Sequence, residues 1–523
     1  MKNQMNTDRR LTVHVLALLW VVLLAVAAFG QQPSTEVSPG PGTSPASPNA
    51  QAPEPVPAPK NTEPEKKISP QEAQALFRSV DEILQFVSRD TGLPIKHSVK
   101  RKLASREEVQ KFIEDRMKDD EDSKRLQRSE VVLKKFGFLP ENFDLKTFLV
   151  GLLKEQVAGF YNTKDKTVYL LDWVEAEAQK PVLAHELTHA LQDQNFNLEK
   201  WIKSARGGKP GTPDNLMEDE RLAARQAVSE GQAMVSLVDY MLAGTGQSVS
   251  TNPAIADAVI AGMETSGQTP LYTQAPMFLK ALLVFPYQFG LRFERDVLDT
   301  KGKQAAFAGA FINPPRDTHQ IMNPASYVNN QAVPLLPVPP FESAAGKDYE
   351  KYDLSVMGQF DVWLLAKQYA GQRVADSMSP KWRGGYYYAA LKPGTVKTNK
   401  GSEAVPASSL ALVYVSKWAD ADSADQFAGL YAEYLPKRYG KLSEMGVAAG
   451  AAAAAGADTK DVPGLGATVK VDLAKRLSGR HTWSTSQGSV AIETQGDEVL
   501  IVEGFDPDAA ERLRQAVFAS KAQ

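Results

Sequence analysis

The stretch VLAHELTHALQDQ, residues 182–194, sets two of the chain's six histidines four residues apart, with a glutamate directly after the first. Val182, Leu183, Leu187, Ala190 and Leu191 recur at helical spacing, and Pro181 and Ala184 suit a helix start, so the pattern predicts a helix from 181 to about 194. A four-residue step brings His185 and His189 onto one face, one turn apart, where two imidazoles can hold one Zn2+. Glu186 then stands beside the metal, placed to take a proton from a bound water. With six His in 523 residues and Glu at about 6%, His-Glu-x-x-His arises by chance in about four of a thousand such chains. A solvated surface helix that happens to match is the alternative, and a third ligand decides between them.

A catalytic zinc takes three protein ligands and keeps a fourth position for water. The residues after His189, ALQDQNF, offer neither the glycine nor the third histidine of a metzincin extension. The acids of MEDERLAARQAVSEGQAMVSLVDYML, residues 217–242, are the candidates. Around Glu230, the same-face neighbours are Ala223, Ala227, Ala233, Met234 and Leu237, whereas Arg221, Arg225, Ser229, Gln232 and Ser236 form an opposite polar stripe. Glu230 is therefore the acid expected on the buried face, where a lone carboxylate costs several kcal/mol unless it is protonated, paired with Arg or Lys, or bound to metal. Glu218, Asp219 and Glu220 sit at the helix start, where a favourable interaction with the helix dipole accounts for them. The small residues Ala227 and Gly231 would let this helix approach the histidine helix closely.

HELTH followed 41 residues later by Glu230 in SEGQA resembles a gluzincin, a zinc metallopeptidase of the thermolysin-like clan in which a Glu on a second helix completes the site. The likeness covers roughly residues 140–330 and includes a hairpin before the histidine motif that is similar to the family's edge strand. The second motif departs from thermolysin's own, which has Asn-Glu-x-x-Ser-Asp. The resemblance implies zinc, held by His185, His189 and Glu230, and peptide hydrolysis with Glu186 as general base. A developing oxyanion needs a further donor. His319, in NPPRDTHQIMNPASY, is the preferred candidate over Tyr240, Tyr287 and Tyr327, and Asp193 is a candidate to orient His189.

Directly before the motif, VAGFYNTKDKTVYLLDW (157–173) reads as a β-hairpin around an Asn-Thr-Lys-Asp-Lys turn, and a peptide substrate could add as a strand along KTVYLLDW. Further upstream, SPQEAQALFRSVDEILQFVSRDTG opens with a Ser-Pro-x-Glu helix start, so folded structure is expected from about Ile68, and residues 68–140 are a candidate propeptide. Residues 31–67 are rich in Pro, Ser and Ala with hardly a large apolar side chain to bury. At the N-terminus, Lys2, Arg9 and Arg10 precede a long apolar run that ends in small residues before Gln31, as in an export signal. An uncleaved anchor is the alternative, since about 20 apolar residues span a bilayer.

The chain has no cysteine, which rules out disulfides, a thiol nucleophile and a lipid-modified cysteine. A formal charge of −3 gives nucleic acid no electrostatic footing. After about residue 350 the pattern reads helix (LSVMGQFDVWLLAKQYAGQ), strand (GYYYAAL), strand (LALVYVSKW), helix (ADQFAGLYAEYL), strands SVAIETQ and EVLIVEGF, and a closing helix.

The expected fold class is α+β: a mainly helical zincin-like metallopeptidase domain with an edge β-hairpin, followed by a smaller α+β domain. The expected organisation is a signal peptide or membrane anchor over 1–30, a disordered linker over 31–67, the metallopeptidase-like unit over 68–345, and a C-terminal α+β unit over 346–523 with a low-complexity loop at 446–464. The expected function is an exported zinc peptidase, periplasmic or secreted or tethered by its N-terminal segment, acting on a peptide or protein substrate. Its rival is a non-catalytic cell-envelope protein that keeps a metal-binding helix pair and acts as a binding module. Intact Glu186 favours the enzyme, because a structural zinc site needs no base beside it.

Overall fold

The computed structural model describes residues 67–116, 120–206, 213–265, 269–395, 405–447, 453–454 and 476–520. The export signal, nearly all of the linker and most of the low-complexity loop lie outside them. Among the described residues no helix is long and apolar enough to cross a membrane.

Folded structure opens where Ser-Pro-x-Glu predicts it. Ser69 caps helix α1 (Pro70–Thr91): its hydroxyl accepts from Glu72 N and its own N–H donates to the Glu72 carboxylate, a reciprocal box that satisfies two otherwise open donors. Gly92, at φ 74°, ends the helix in the left-handed conformation. One face of α1, with Leu76, Val80, Ile83, Leu84 and Val87, packs on Leu183, Leu187 and Leu191. These lie on the side of the histidine helix away from His185 and His189. Residues 70–91 therefore build core beneath the motif.

Strand β1 (Lys100–Ala104) is followed by the predicted hairpin, β2 (Phe160–Asn162) and β3 (Thr167–Leu171), with Phe160 opposite Tyr169. Lys166, at φ 58°, closes its turn. β1 pairs in parallel with β3, so the sheet order is β1-β3-β2. This corrects the expected docking edge: among the described residues β3 is paired on both sides, and the outer strand beside the motif is β2, whose Tyr161 N–H is taken by Glu186.

The histidine helix, α2 (Ala176–Phe196), begins five residues before Pro181, where the sequence places its start. Gln179 anchors the added turn: its side chain exchanges hydrogen bonds with Leu171 N (2.8 Å) and Leu171 O (2.9 Å) at the end of β3 and donates to Val174 O (2.7 Å).

Helix α3 (Glu218–Met241) is the axis of this region, buried on every side. The polar stripe read from its sequence is buried too, with Ser229, Gln232 and Ser236 fully enclosed. Helix α4 (Met277–Lys301) packs along it, backbone to backbone: a Cβ on Gly231 would overlap the Gly290 carbonyl, and one on Gly290 would overlap Ala227 O. The small residues of α3 thus face α4 and not, as expected, α2, because Gly231 lies about 100° around the helix from Glu230.

Beyond residue 345 a seven-stranded antiparallel sheet forms from β4 (Glu350–Val356), β5 (Trp382–Leu391), β6 (Leu410–Trp418), β7 (Ser443–Val447), β8 (Arg480–Thr485), β9 (Gly488–Gln495) and β10 (Glu498–Glu503), in the order β4-β5-β6-β10-β9-β8-β7. Leu354–Val356 belongs to β4 rather than to the helix read there. That helix, α5 (Gln359–Ala370), starts only after Gly358, whose N–H donates to Asp361. Both sheet faces are covered, since Tyr387, Leu412, Tyr414 and Ile501 join the main core and Tyr386, Tyr388, Val413 and Val502 join a second one. The main core is continuous from Ala104 to Ile501. Phe136 presents its edge to Tyr387 and Tyr414, at 5.6 and 5.9 Å, and so joins the helical region to the sheet. A buried ionic group reinforces that junction: Arg438, on helix α6 (Ala421–Tyr439), bonds Glu503 on β10 (2.9 and 2.8 Å) and Lys135 O. The protein is thus α+β and mostly helical, with its large sheet late in the chain.

Candidate metal centre

Helices α2 and α3 bring together three donor atoms. His185 Nε2 lies 3.1 Å from Glu230 Oε2 and 3.1 Å from His189 Nε2, and His189 Nε2 lies 3.4 Å from Glu230 Oε2. Donors held about 2.05 Å from a tetrahedral zinc stand about 3.3 Å apart, so the triangle has the size of one face of such a tetrahedron. Two imidazoles and one carboxylate are also donors that suit zinc. Among the described residues this is the one group of His, Asp and Glu side chains able to hold a metal ion. The side chains of His185 and Glu230 are 2% and 4% exposed and that of His189 is 12%, so the cluster opens to solvent on the His189 side.

No Arg or Lys among the described residues pairs with Glu230; its partners are the two imidazoles. Burial alone would raise its pKa, but the neighbouring histidines outweigh that and hold it down at about 2. Burial likewise disfavours a charged His189, yet Glu230 outweighs it and lifts the imidazole to about 9.

Glu186 sits next to this group and outside the donor triangle. Its Oε2 accepts from Tyr161 N on β2 at 2.7 Å, which fixes the carboxylate against the hairpin. Burial, countered in part by His185 and His189, raises its pKa above the ordinary carboxylate value.

The two histidines are held differently. His185 stacks beside Tyr287 of α4, ring centroids 6.2 Å apart, and its buried Nδ1 meets no hydrogen-bond partner. His189 Nδ1 faces Gln192 Oε1 at 2.9 Å, with Ser229 Oγ 3.3 Å away. Asp193, expected to orient His189, instead accepts from Tyr161 OH (2.9 Å), Lys166 Nζ (2.6 Å) and Leu198 N (3.2 Å), tying α2 to the hairpin turn.

The structure does not bring His319 to the cluster. Its Nδ1 lies 2.6 Å from Gln359 Oε1, and its ring lies 6.4 Å from that of Trp382. The neighbouring Thr318 bonds Glu220 through both N–H (2.9 Å) and hydroxyl (2.8 Å), and Glu220 precedes Glu230 by ten residues, about 15 Å of helix. Glu220 itself is buried and not a solvated helix-start acid; burial and then Asp361 and Asp317 raise its pKa well above the usual carboxylate value. Tyr240 packs against Phe86, and Tyr327 donates to Asn313 O, both away from the cluster. Of these three tyrosines, Tyr287 is the one beside His185.

Sequence reasoning missed Gln192, Ser229 and Gln232. Gln192 was within reach of the pattern, since it follows His189 by three residues and shares its helix face. No family model, curated protein or solved structure matches the chain.

Proposed function

We propose that this chain is an exported zinc-dependent metallopeptidase of the gluzincin type, with His185, His189 and Glu230 as ligands and Glu186 as general base. The observation that carries the reading is the triangle of 3.1, 3.1 and 3.4 Å between two buried donors and one partly buried donor, with a carboxylate outside it on the residue after His185. Zinc bound there would acidify a water and polarise a peptide carbonyl. Glu186 would serve as the general base, accepting a proton from water and returning it to the leaving amine. Tyr161 N holds Oε2 of Glu186, which leaves Oε1 to carry the proton. The role of oxyanion donor passes from His319 to Tyr287, the hydroxyl-bearing side chain beside His185.

The test is Glu186→Gln assayed on unfolded casein. The variant is expected to keep one zinc per chain and lose hydrolysis by at least a hundredfold. Undiminished hydrolysis with zinc in place would rule out Glu186 as the base, and zinc binding with no hydrolysis by the parent would favour a non-catalytic binding protein.

A further inference from the structure

The hydrogen bonds behind His189 form a chain whose direction is set at its far end. Gln232 Nε2 lies 3.0 Å from both Ala306 O and Phe307 O, in a π-helical turn over Ala305–Gly309. Main-chain carbonyls only accept, so this nitrogen is the Gln232 amide donor and Oε1 must point the other way. That oxygen faces Gln192 Nε2 at 3.1 Å, and the same nitrogen donates to Ser229 O at 3.1 Å. The Gln192 amide is therefore fixed as well, with Oε1 toward His189. Ser229 Oγ donates to this oxygen at 2.8 Å. An oxygen that only accepts, 2.9 Å from His189 Nδ1, requires that nitrogen to carry its proton.

We infer that Gln192 and Gln232 are positioning residues that transmit the polarity of the Ala306 and Phe307 carbonyls to His189, holding its Nδ1 protonated and presenting the Nε2 lone pair to the metal. This rests on the metal reading above and adds to it a device that selects one tautomer of one ligand. Each link is buried: Gln192 and Gln232 are fully enclosed, and no water is needed to complete the chain. Ser229 and Glu230 are adjacent on α3, so the helix that supplies the carboxylate ligand also locks the histidine's acceptor. Partners of this kind typically contribute 10- to 100-fold to metal affinity.

Replacing the acceptor separates this role from packing. Gln192→Leu keeps the volume and removes the acceptor, whereas Gln192→Glu keeps an acceptor toward His189 Nδ1 at the cost of a buried charge and of the Nε2 donor to Ser229 O and Gln232 Oε1. The relay predicts a 10- to 100-fold loss of Zn2+ affinity, by chelator competition on the full chain, in the Leu variant, and affinity within about threefold of the parent in the Glu variant. A packing role predicts the reverse order. Thermal denaturation of the metal-free proteins reports whether either variant has simply lost its fold. If Gln192→Glu does not fold, 15N-histidine NMR of the zinc-loaded parent decides: a slowly exchanging Nδ1–H on His189 supports the relay, and metal bound through Nδ1 overturns it. Failure of the metal reading shows separately, as a parent that takes up no zinc. A zinc-binding parent whose Leu variant binds equally well overturns the relay alone.

Discussion

Glu230 Oε2 stands 3.1 Å from His185 Nε2 although 45 residues separate the two along the chain. That closeness depends on α3 being packed hard against its other neighbour. Gly231 and Gly290 place α3 and α4 in backbone contact, and Glu230 is then aimed at α2.

Gly290→Ala should therefore damage the proposed metal centre from a distance. The added methyl meets the Ala227 carbonyl, which cannot step aside as a side chain could. A destabilisation of about 1–3 kcal/mol is expected, together with weaker Zn2+ binding as α3 is pushed out of place. Calorimetric unfolding and a zinc titration check the two effects. A variant with parental values for both would show that the contact is slack.

Tyr287→Phe should lower kcat by roughly 10²–10³ with little change in KM, as expected for loss of an oxyanion donor. His319→Gln should leave kcat unchanged, because its neighbours are Gln359, Asn323 and Trp382. Steady-state kinetics on one fluorogenic peptide compares the two, and the opposite ranking would restore His319 to the site.

Glu294, on α4, is fully buried, and neither carboxylate oxygen has a hydrogen-bond partner. Burial raises its pKa well above the ordinary value. With the folded pKa above the unfolded one, the native state holds the extra proton, so stability falls as pH rises from about 4.5 toward the folded pKa. Each pH unit in that window costs about 1.4 kcal/mol. Glu294→Gln removes this dependence, so its melting temperature should exceed the parent's by a margin that widens as the pH rises above about 4.5 into the range below the folded pKa. A margin that stays constant across that range would mean that Glu294 titrates normally.

The ionic group at the sheet junction should respond asymmetrically. Burial depresses Lys135 to about 7 against the pull of Glu503, so a charged Lys135 disfavours folding at and below neutral pH. Lys135→Met should leave the melting temperature at pH 7 equal or higher. Arg438→Met leaves Glu503 buried without its bidentate partner and should cost about 3–5 kcal/mol. Equal losses in both variants would contradict this assignment of roles.

What the sequence made legible was local. His185, Glu186 and His189 lie within five residues, and helix periodicity alone sets their relative directions. The hairpin over 160–171 and the capped start of α1 are equally local, each carried by turn or cap residues. Glu230 was legible for an energetic reason, since a carboxylate among Ala223, Ala227 and Met234 needs a partner. Relations that depend on how helices pack were not legible. The stripe of Ser229, Gln232 and Ser236 reads as a second, polar side of α3, and nothing in its spacing reveals that Gln192 and a π-turn meet it there. His319 fails as a site residue for the same reason, because its place is set by Thr318 bonding Glu220 at the far end of α3. The end of β4 reads as helix because Leu354–Val356 abuts the apolar run of α5, and only the Gly358 cap separates them.

The most direct test of the central claim is the zinc content of the purified full-length chain, by elemental mass spectrometry, beside Glu230→Ala prepared in the same way. One zinc per parent chain and a clear loss in the variant are the predicted results. A well-folded parent that takes up no zinc when supplied with it would contradict the metal centre and leave His185, His189 and Glu230 as a buried hydrogen-bonded triad.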